Sequence, residues 1–191
     1  MKKLKKILLW TVGIIGLLLL AFNFILWPIL KKQTKKISPE QQVTYAKGDL
    51  KIDVFYCSPS KKDREIFGGL VPYGEVWRTG ANEATTFTTN KDLMISGQPL
   101  KAGKYTIWTI PNEDSWKIIF NSKMYGWGVK LTDQTAARNP EYDVLSVEAN
   151  VSNSLNIVEE FSITLNEPSS ITTVMIFAWD NVVVPLPIRV Q

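Results

Sequence analysis

Between residues 64 and 83 the sequence gathers most of the side chains that would recognise or transform a small molecule: Arg64, Glu65, Tyr73, Glu75, Trp77, Arg78, Asn82 and Glu83. Gly68, Gly69, Gly74, Gly80 and Pro72 interrupt the same stretch, so it cannot be a regular helix. Rigid aromatics beside a few directed polar groups are how sites for small ligands and sugars are generally made. On that reading Trp77 and Tyr73 stack on an apolar ring face, while Arg64, Arg78, Asn82 and Glu83 supply hydrogen bonds. A second chemistry uses Glu65, Glu75 and Glu83 as general acid and base around a glycosidic bond. A third reading needs no ligand: Arg78 and Glu83 pair internally, Asn82 caps a turn and Trp77 plugs the core. Residue types alone leave the three open. As a function, a non-catalytic ligand-binding or envelope-organising module is expected, with a carboxylate enzyme of the 65–83 loop, for example one acting on glycans, as the alternative.

Much other chemistry is excluded. The chain has no histidine, which removes Ser-His-Asp and Cys-His nucleophile systems and ordinary zinc sites. Cys57 is the single cysteine, so no intrachain disulfide forms; with no local base beside it, it reads as a structural thiol. Ser58 and Lys61 match a Ser-x-x-Lys pattern, but Pro59 follows the serine and the companion motifs of penicillin-recognising enzymes are missing. No catalytic residue, metal or cofactor is therefore assigned.

The elements that must position the loop begin with an anchor. Residues 7–30 contain no charge and consist mostly of Ile, Leu, Val and Phe. As a helix these 24 positions span about 36 Å, enough to cross a hydrocarbon core of about 30 Å. Trp10 and Trp27 lie near the two ends, where indoles favour the water–lipid boundary. The rival is a cleaved signal peptide, but the apolar run is longer than a signal core and no small-x-small site follows it. Four lysines precede the run (residues 1–6) and four follow it in the polar linker 31–42, so charge does not orient the helix. The short N-terminal flank favours a cytoplasmic N-terminus, with the domain extracytoplasmic and periplasmic in a Gram-negative cell.

Those eight lysines also mask the charge of the rest. Of 22 basic and 18 acidic residues, 14 bases and all 18 acids lie beyond residue 36, a net charge of −4. Nucleic-acid binding through a basic face loses its support, and the lysines suit anionic headgroups instead. The expected partners are the lipid bilayer, through 7–30, and a small-molecule or glycan ligand.

From 43 to 191 the hydrophobic period is two. Leu50, Ile52, Val54 and Tyr56 share one face of a predicted strand. Further strands are expected over 84–89, 104–110, 116–121, 144–151, 160–165, 172–179 and 182–190, with one helical turn at 133–137. Residues 104–110 and 116–121 should form a hairpin across 111–115. Pro185 and Pro187 suggest that the last strand lies at an edge. The fold class is all-β: an antiparallel β-sandwich, jelly-roll-like or related, preceded by one transmembrane helix.

Several runs carry a family resemblance: Tyr56-Cys57-Ser58-Pro59, Arg64-Glu65-Ile66-Phe67-Gly68, Leu70-Val71-Pro72-Tyr73-Gly74 and Val76-Trp77-Arg78-Thr79-Gly80-Ala81-Asn82-Glu83. With Ala102-Gly103-Lys104-Tyr105, Ile110-Pro111 and Trp116-x-Ile118-Ile119-Phe120-Asn121, residues 43–190 resemble the bacterial family catalogued as domain of unknown function 2911, found largely among Bacteroidetes. The resemblance implies an exported domain and supplies no reaction. Many resembling proteins carry arginine where Ser58 stands, so any site using that arginine would be altered here.

Overall fold

The computed structural model describes residues 2–169 and 172–191. The chain divides into a helical N-terminal unit ending at Ile37 and a domain over Ser38–Gln191.

The helical unit runs as α1 (Lys2–Ala21), a π turn (Phe22–Leu26) and α2 (Trp27–Ile37). Pro28 accounts for the π turn. It lacks an N–H, and its ring would press on the carbonyl four residues back, so the preceding turn widens and Trp27 N–H bonds Phe22 O instead. The helix is long and apolar enough to cross a membrane. The segment 31–42 is shared between the end of α2 and the start of the first strand.

The domain is a β-sandwich of two antiparallel sheets. Ten strands follow: β1 (Glu40–Lys47), β2 (Leu50–Cys57), β3 (Thr86–Thr89), β4 (Leu93–Ile95), β5 (Gln98–Leu100), β6 (Gly103–Pro111), β7 (Ser115–Asn121), β8 (Asp143–Asn150), β9 (Ser152–Ser169) and β10 (Thr172–Val190). One sheet has the order β1-β2-β3-β6-β7-β8, the other β5-β4-β10-β9. Alternation explains the core: Ile52 and Val54 of β2, Phe87 of β3, Ile107 of β6, and Ile118 and Phe120 of β7 point inward. They meet Leu93, Ile95, Phe161, Ile163, Met175, Phe177 and Ile188 from the other sheet. The expected hairpin is present, with Pro111 opposite Trp116 and Thr106 opposite Asn121.

β10 doubles back on itself. Arg189 Nε donates to Thr172 Oγ1 at 3.1 Å across 17 positions, whereas a straight strand would part them by about 55 Å. A bend falls at Asp180, whose φ is 56° and where the register with β9 shifts. Met175, Phe177 and Trp179 before it, and Val184, Leu186 and Ile188 after it, are all buried. The two stretches expected from sequence, 172–179 and 182–190, are thus the two arms of one folded strand.

Two expectations are corrected. β10 is flanked by β4 and β9, so Pro185 and Pro187 do not mark an edge. Its register with β9 ends at Val183 and that with β4 starts at Ile188, so neither proline is asked for a ladder N–H. The helical turn foreseen at 133–137 is absent: Asp133 Oδ1 accepts from Thr135 N and Oγ1, a local turn that competes with helix. A short 3₁₀ turn forms instead at Pro140–Tyr142.

Trp108, one residue from the inward Ile107, necessarily faces the other way. With Ala84 and Ile119 it forms a second, smaller cluster, packed by Val76, Ile110, Tyr125, Ala136 and Ala137. Residues 122–139 therefore lie over the outer face of the six-stranded sheet. The Tyr125 ring stands edge-on to Trp108 at 5.2 Å, and its hydroxyl accepts from Asn139 N at 2.7 Å. Arg138 pairs with Asp143 at 2.9 Å, tying the end of this segment to β8.

Candidate functional site

The loop joining β2 to β3, residues 58–85, is stitched to both sheets. Phe161 N donates to Pro59 O at 2.9 Å and Lys61 N to Glu159 O at 2.6 Å, so its first part adds to the β9 edge. Its second part pairs with β6, Trp77 N to Thr109 O at 2.7 Å and Thr109 N to Trp77 O at 3.0 Å. Backbone groups that a long connection would otherwise leave to water are satisfied by the sandwich.

That frame separates the sequence candidates. Arg64 is exposed, but its guanidinium donates to Lys61 O and Ser60 O and so braces its own turn. Ser58 Oγ donates to Phe161 O at 2.6 Å, and Lys61 Nζ pairs with Asp180 at 2.6 Å; the Ser-x-x-Lys pattern is spent on packing. Tyr73 is exposed, and the Gly74 N–H that follows it bonds Pro111 O. Glu65 and Glu75 are exposed as well, while Glu83 is half-buried. The structure does not bring the three carboxylates into one environment.

Trp77 is half-buried and packs against the core. Its ring lies nearly parallel to Trp179 at 5.9 Å and edge-on to Phe161 at 5.0 Å, Trp116 at 6.0 Å and Phe67 at 6.2 Å. Its Nε1 donates to Gly80 O at 3.1 Å. The indole clamps the turn that follows instead of offering a stacking face.

That turn is strained. Thr79 has φ 58° and Asn82 φ 57°, values a β-branched residue almost never adopts and asparagine tolerates. Thr79 is held there by Thr109 Oγ1 at 3.1 Å and by Thr85 Oγ1, which donates to its carbonyl. Gly80 is required outright: its φ is 139°, and a Cβ would stand 2.8 Å from Cys57 O. The close approach lets Ala81 N donate to that same carbonyl at 3.2 Å.

The result is a cluster of Cys57, Arg78, Asn82 and Glu83. Cys57 Sγ–H points to Glu83 Oε2 at 3.5 Å, and Asn82 Nδ2 donates to Ser38 O at 3.4 Å. Burial pushes the Cys57 thiol up to about 11; the Asn82 amide opposes this, and the Glu83 and Glu40 charges add to it. A thiol so protonated is a poor nucleophile.

Arg78 stands apart within this cluster. None of the described ion pairs includes it, so the Arg78–Glu83 pair considered from sequence is not formed. Its Nε is fully buried and makes no hydrogen bond. Burial moves the guanidinium below its ordinary value, opposed by the neighbouring Cys57. Gly128 explains how it is covered. A Cβ there would lie 2.3 Å from Arg78 Cδ and 2.7 Å from Arg78 Cβ, so the backbone of the 122–139 segment rests directly on the arginine stem. Gly128 N donates to Asn82 O at 2.9 Å, pinning that contact. Sequence reasoning found Arg78, Asn82 and Glu83 but missed Gly128 and Thr79. The Gly126-Trp127-Gly128 run was the only hint of the former.

An antiparallel sandwich carrying this arginine-centred turn, behind a long apolar helix, defines the class. The chain belongs to the family described as "Protein of unknown function (DUF2911)", whose model matches residues 38–188. No curated protein and no solved structure matches it.

Proposed function

We propose that this chain is a membrane-anchored binding module, held by residues 7–30 with its domain outside the cytoplasm. Its ligand is a small molecule or glycan bearing a carboxylate or phosphate, and its recognition group is Arg78. One observation carries the reading: a desolvated guanidinium with a buried, unpartnered Nε and, among the described residues, no carboxylate paired with it. Leaving such a group unmade costs free energy, and buried arginines are ordinarily paired. An anion meeting the outer edge of the guanidinium would answer its charge, because the planar fork of N–H donors matches carboxylate and phosphate oxygens. The strained Thr79–Asn82 turn beside it is the kind of backbone that clusters at ligand sites.

Binding is favoured over carboxylate catalysis because general acid–base work needs two carboxyls at one bond. Here Glu65 and Glu75 are exposed and only Glu83 shares the cluster.

The test titrates the full-length protein in detergent with acetate, phosphate and glucuronate, following tryptophan fluorescence, since Trp77 adjoins Arg78. Saturable quenching or enhancement is expected, lost in Arg78→Met and kept in Arg64→Met. No saturable response to any of the three anions, or one that survives Arg78→Met, overturns the reading.

A further inference from the structure

The apolar helix carries two polar side chains between residues 7 and 30, Thr11 and Asn23. Thr11 is satisfied within its own helix: its hydroxyl donates to Leu8 O at 2.8 Å, with Ile7 O at 3.1 Å. Asn23 is not. One N–H of its amide donates to Leu19 O at 2.9 Å; the carbonyl oxygen and second N–H have no partner among the described residues. In hydrocarbon no water fills those positions, so the amide needs a partner from outside the helix.

The position of Asn23 says which partner. Leu9, Gly13, Gly16, Leu20 and Asn23 are spaced 4, 3, 4 and 3 apart, one seam of a heptad. Asn23 lies only one residue into the π turn, so the wider turn barely shifts it from the seam. Nothing stands within 4 Å of where a Cβ would be on Gly13 or Gly16, so the backbone is bare on the amide's own face. Thr11 lies off that seam.

We propose that this helix pairs in parallel with a second copy of the chain, the two Asn23 amides hydrogen-bonding each other across the Gly13–Gly16 contact. A two-fold axis along the membrane normal puts identical amides at one depth, each offering the donor and acceptor the other lacks. An antiparallel pair would set Asn23, near one end of the span, against apolar residues near the other. Parallel pairing also keeps both domains on one side of the bilayer.

The inference rests on the anchor reading, and the experiment separates the two. Full-length chains labelled at the N-terminus with donor or acceptor fluorophore are reconstituted into phosphatidylcholine vesicles and diluted with lipid. Intact mass is measured first: loss of the N-terminal segment in the protein recovered from cells would overturn the anchor reading itself. With the segment present, energy transfer should fall with dilution, and Asn23→Leu should weaken association about 10-fold. Gly16→Leu should weaken it by at least as much, and Thr11→Leu should leave it unchanged. Transfer absent at every protein-to-lipid ratio, or unaltered in both Asn23→Leu and Gly16→Leu, overturns the pairing while leaving the anchor intact.

Discussion

Replacing Arg78 with methionine tests whether the guanidinium holds the fold or waits for a ligand. Methionine keeps an unbranched stem against Gly128, where the arginine carbons are already in contact, and removes the charge and the unpartnered Nε. A buried donor left unmade costs about 1–3 kcal/mol. The stem packing is largely conserved and no ion pair is lost, so Arg78→Met should stabilise the ligand-free protein by about 1–3 kcal/mol. For a domain of this size that is roughly 3–10 °C in Tm. The assay is urea unfolding of full-length protein in detergent, read by tryptophan fluorescence. Adding phosphate or glucuronate at about 100 times its dissociation constant should then stabilise wild type by about 2.7 kcal/mol and leave the variant unmoved, closing or reversing the gap. A variant less stable than wild type by more than about 1 kcal/mol without ligand would refute the reasoning. It would mean that the charge does structural work, as in the ligand-free reading of this loop.

Three further outcomes are expected. Gly128→Ala should destabilise by about 1–3 kcal/mol, because its Cβ would overlap the Arg78 stem; in an Arg78→Gly background, which removes both the Cδ at 2.3 Å and the Cβ at 2.7 Å, most of that loss should vanish, a coupling above about 1 kcal/mol in a double-mutant cycle. Trp77→Ala should cost about 3 kcal/mol or more through the cavity left among Trp179, Phe161, Trp116 and Phe67, measured by the same urea titration. For Cys57, the folded thiol sits at about 11 against an ordinary 9.0, so between those values the unfolded chain has released a proton that the folded one keeps. Its stabilising contribution is complete below pH 9 and lost as pH rises through 11, amounting to roughly 2–3 kcal/mol. The stability difference between wild type and Cys57→Ala should therefore shrink by that amount from pH 8.5 to 11, and a constant difference would contradict the assigned shift.

The sandwich was legible where its strands are buried. β2 and β8 alternate because each has one face in the main core, while β6 and β7 are buried on both faces and read as apolar runs; the expected bounds of all four agree with the structure to within a residue. β1 was invisible for the opposite reason: Glu40–Lys47 has no fully buried residue, and its existence depends on register with β2. β4 and β5, three residues each about a Ser96–Gly97 turn, are too short for any period to show. The site was legible as a place and not as an arrangement. Glycine, proline and aromatic density marked the 64–83 stretch, but whether Trp77 faces a ligand or the core depends on Trp179, about a hundred positions later. The covering of Arg78 by Gly128 joins segments 50 positions apart in sequence, and no local pattern encodes it.

Scaffold and site are here the same residues acting through one another. Trp77 reaches the aromatic core and bonds Gly80 O; Gly80 can then approach Cys57 O, and the chain leaves the sheet with Thr79 and Asn82 at positive φ. That path sets Arg78 under the 122–139 segment, where its stem is packed and its charge unanswered. A loop built only to connect β2 to β3 would relax such a backbone and pair or expose such a charge, since both are costly. It follows that Trp77→Ala, though the indole touches no ligand in this reading, should weaken anion binding as well as stability, while the braced Arg64 can be lost with binding unchanged. Equal losses of binding from Trp77→Ala and Arg64→Met would show that the loop responds as a whole and that Arg78 holds no special place in it.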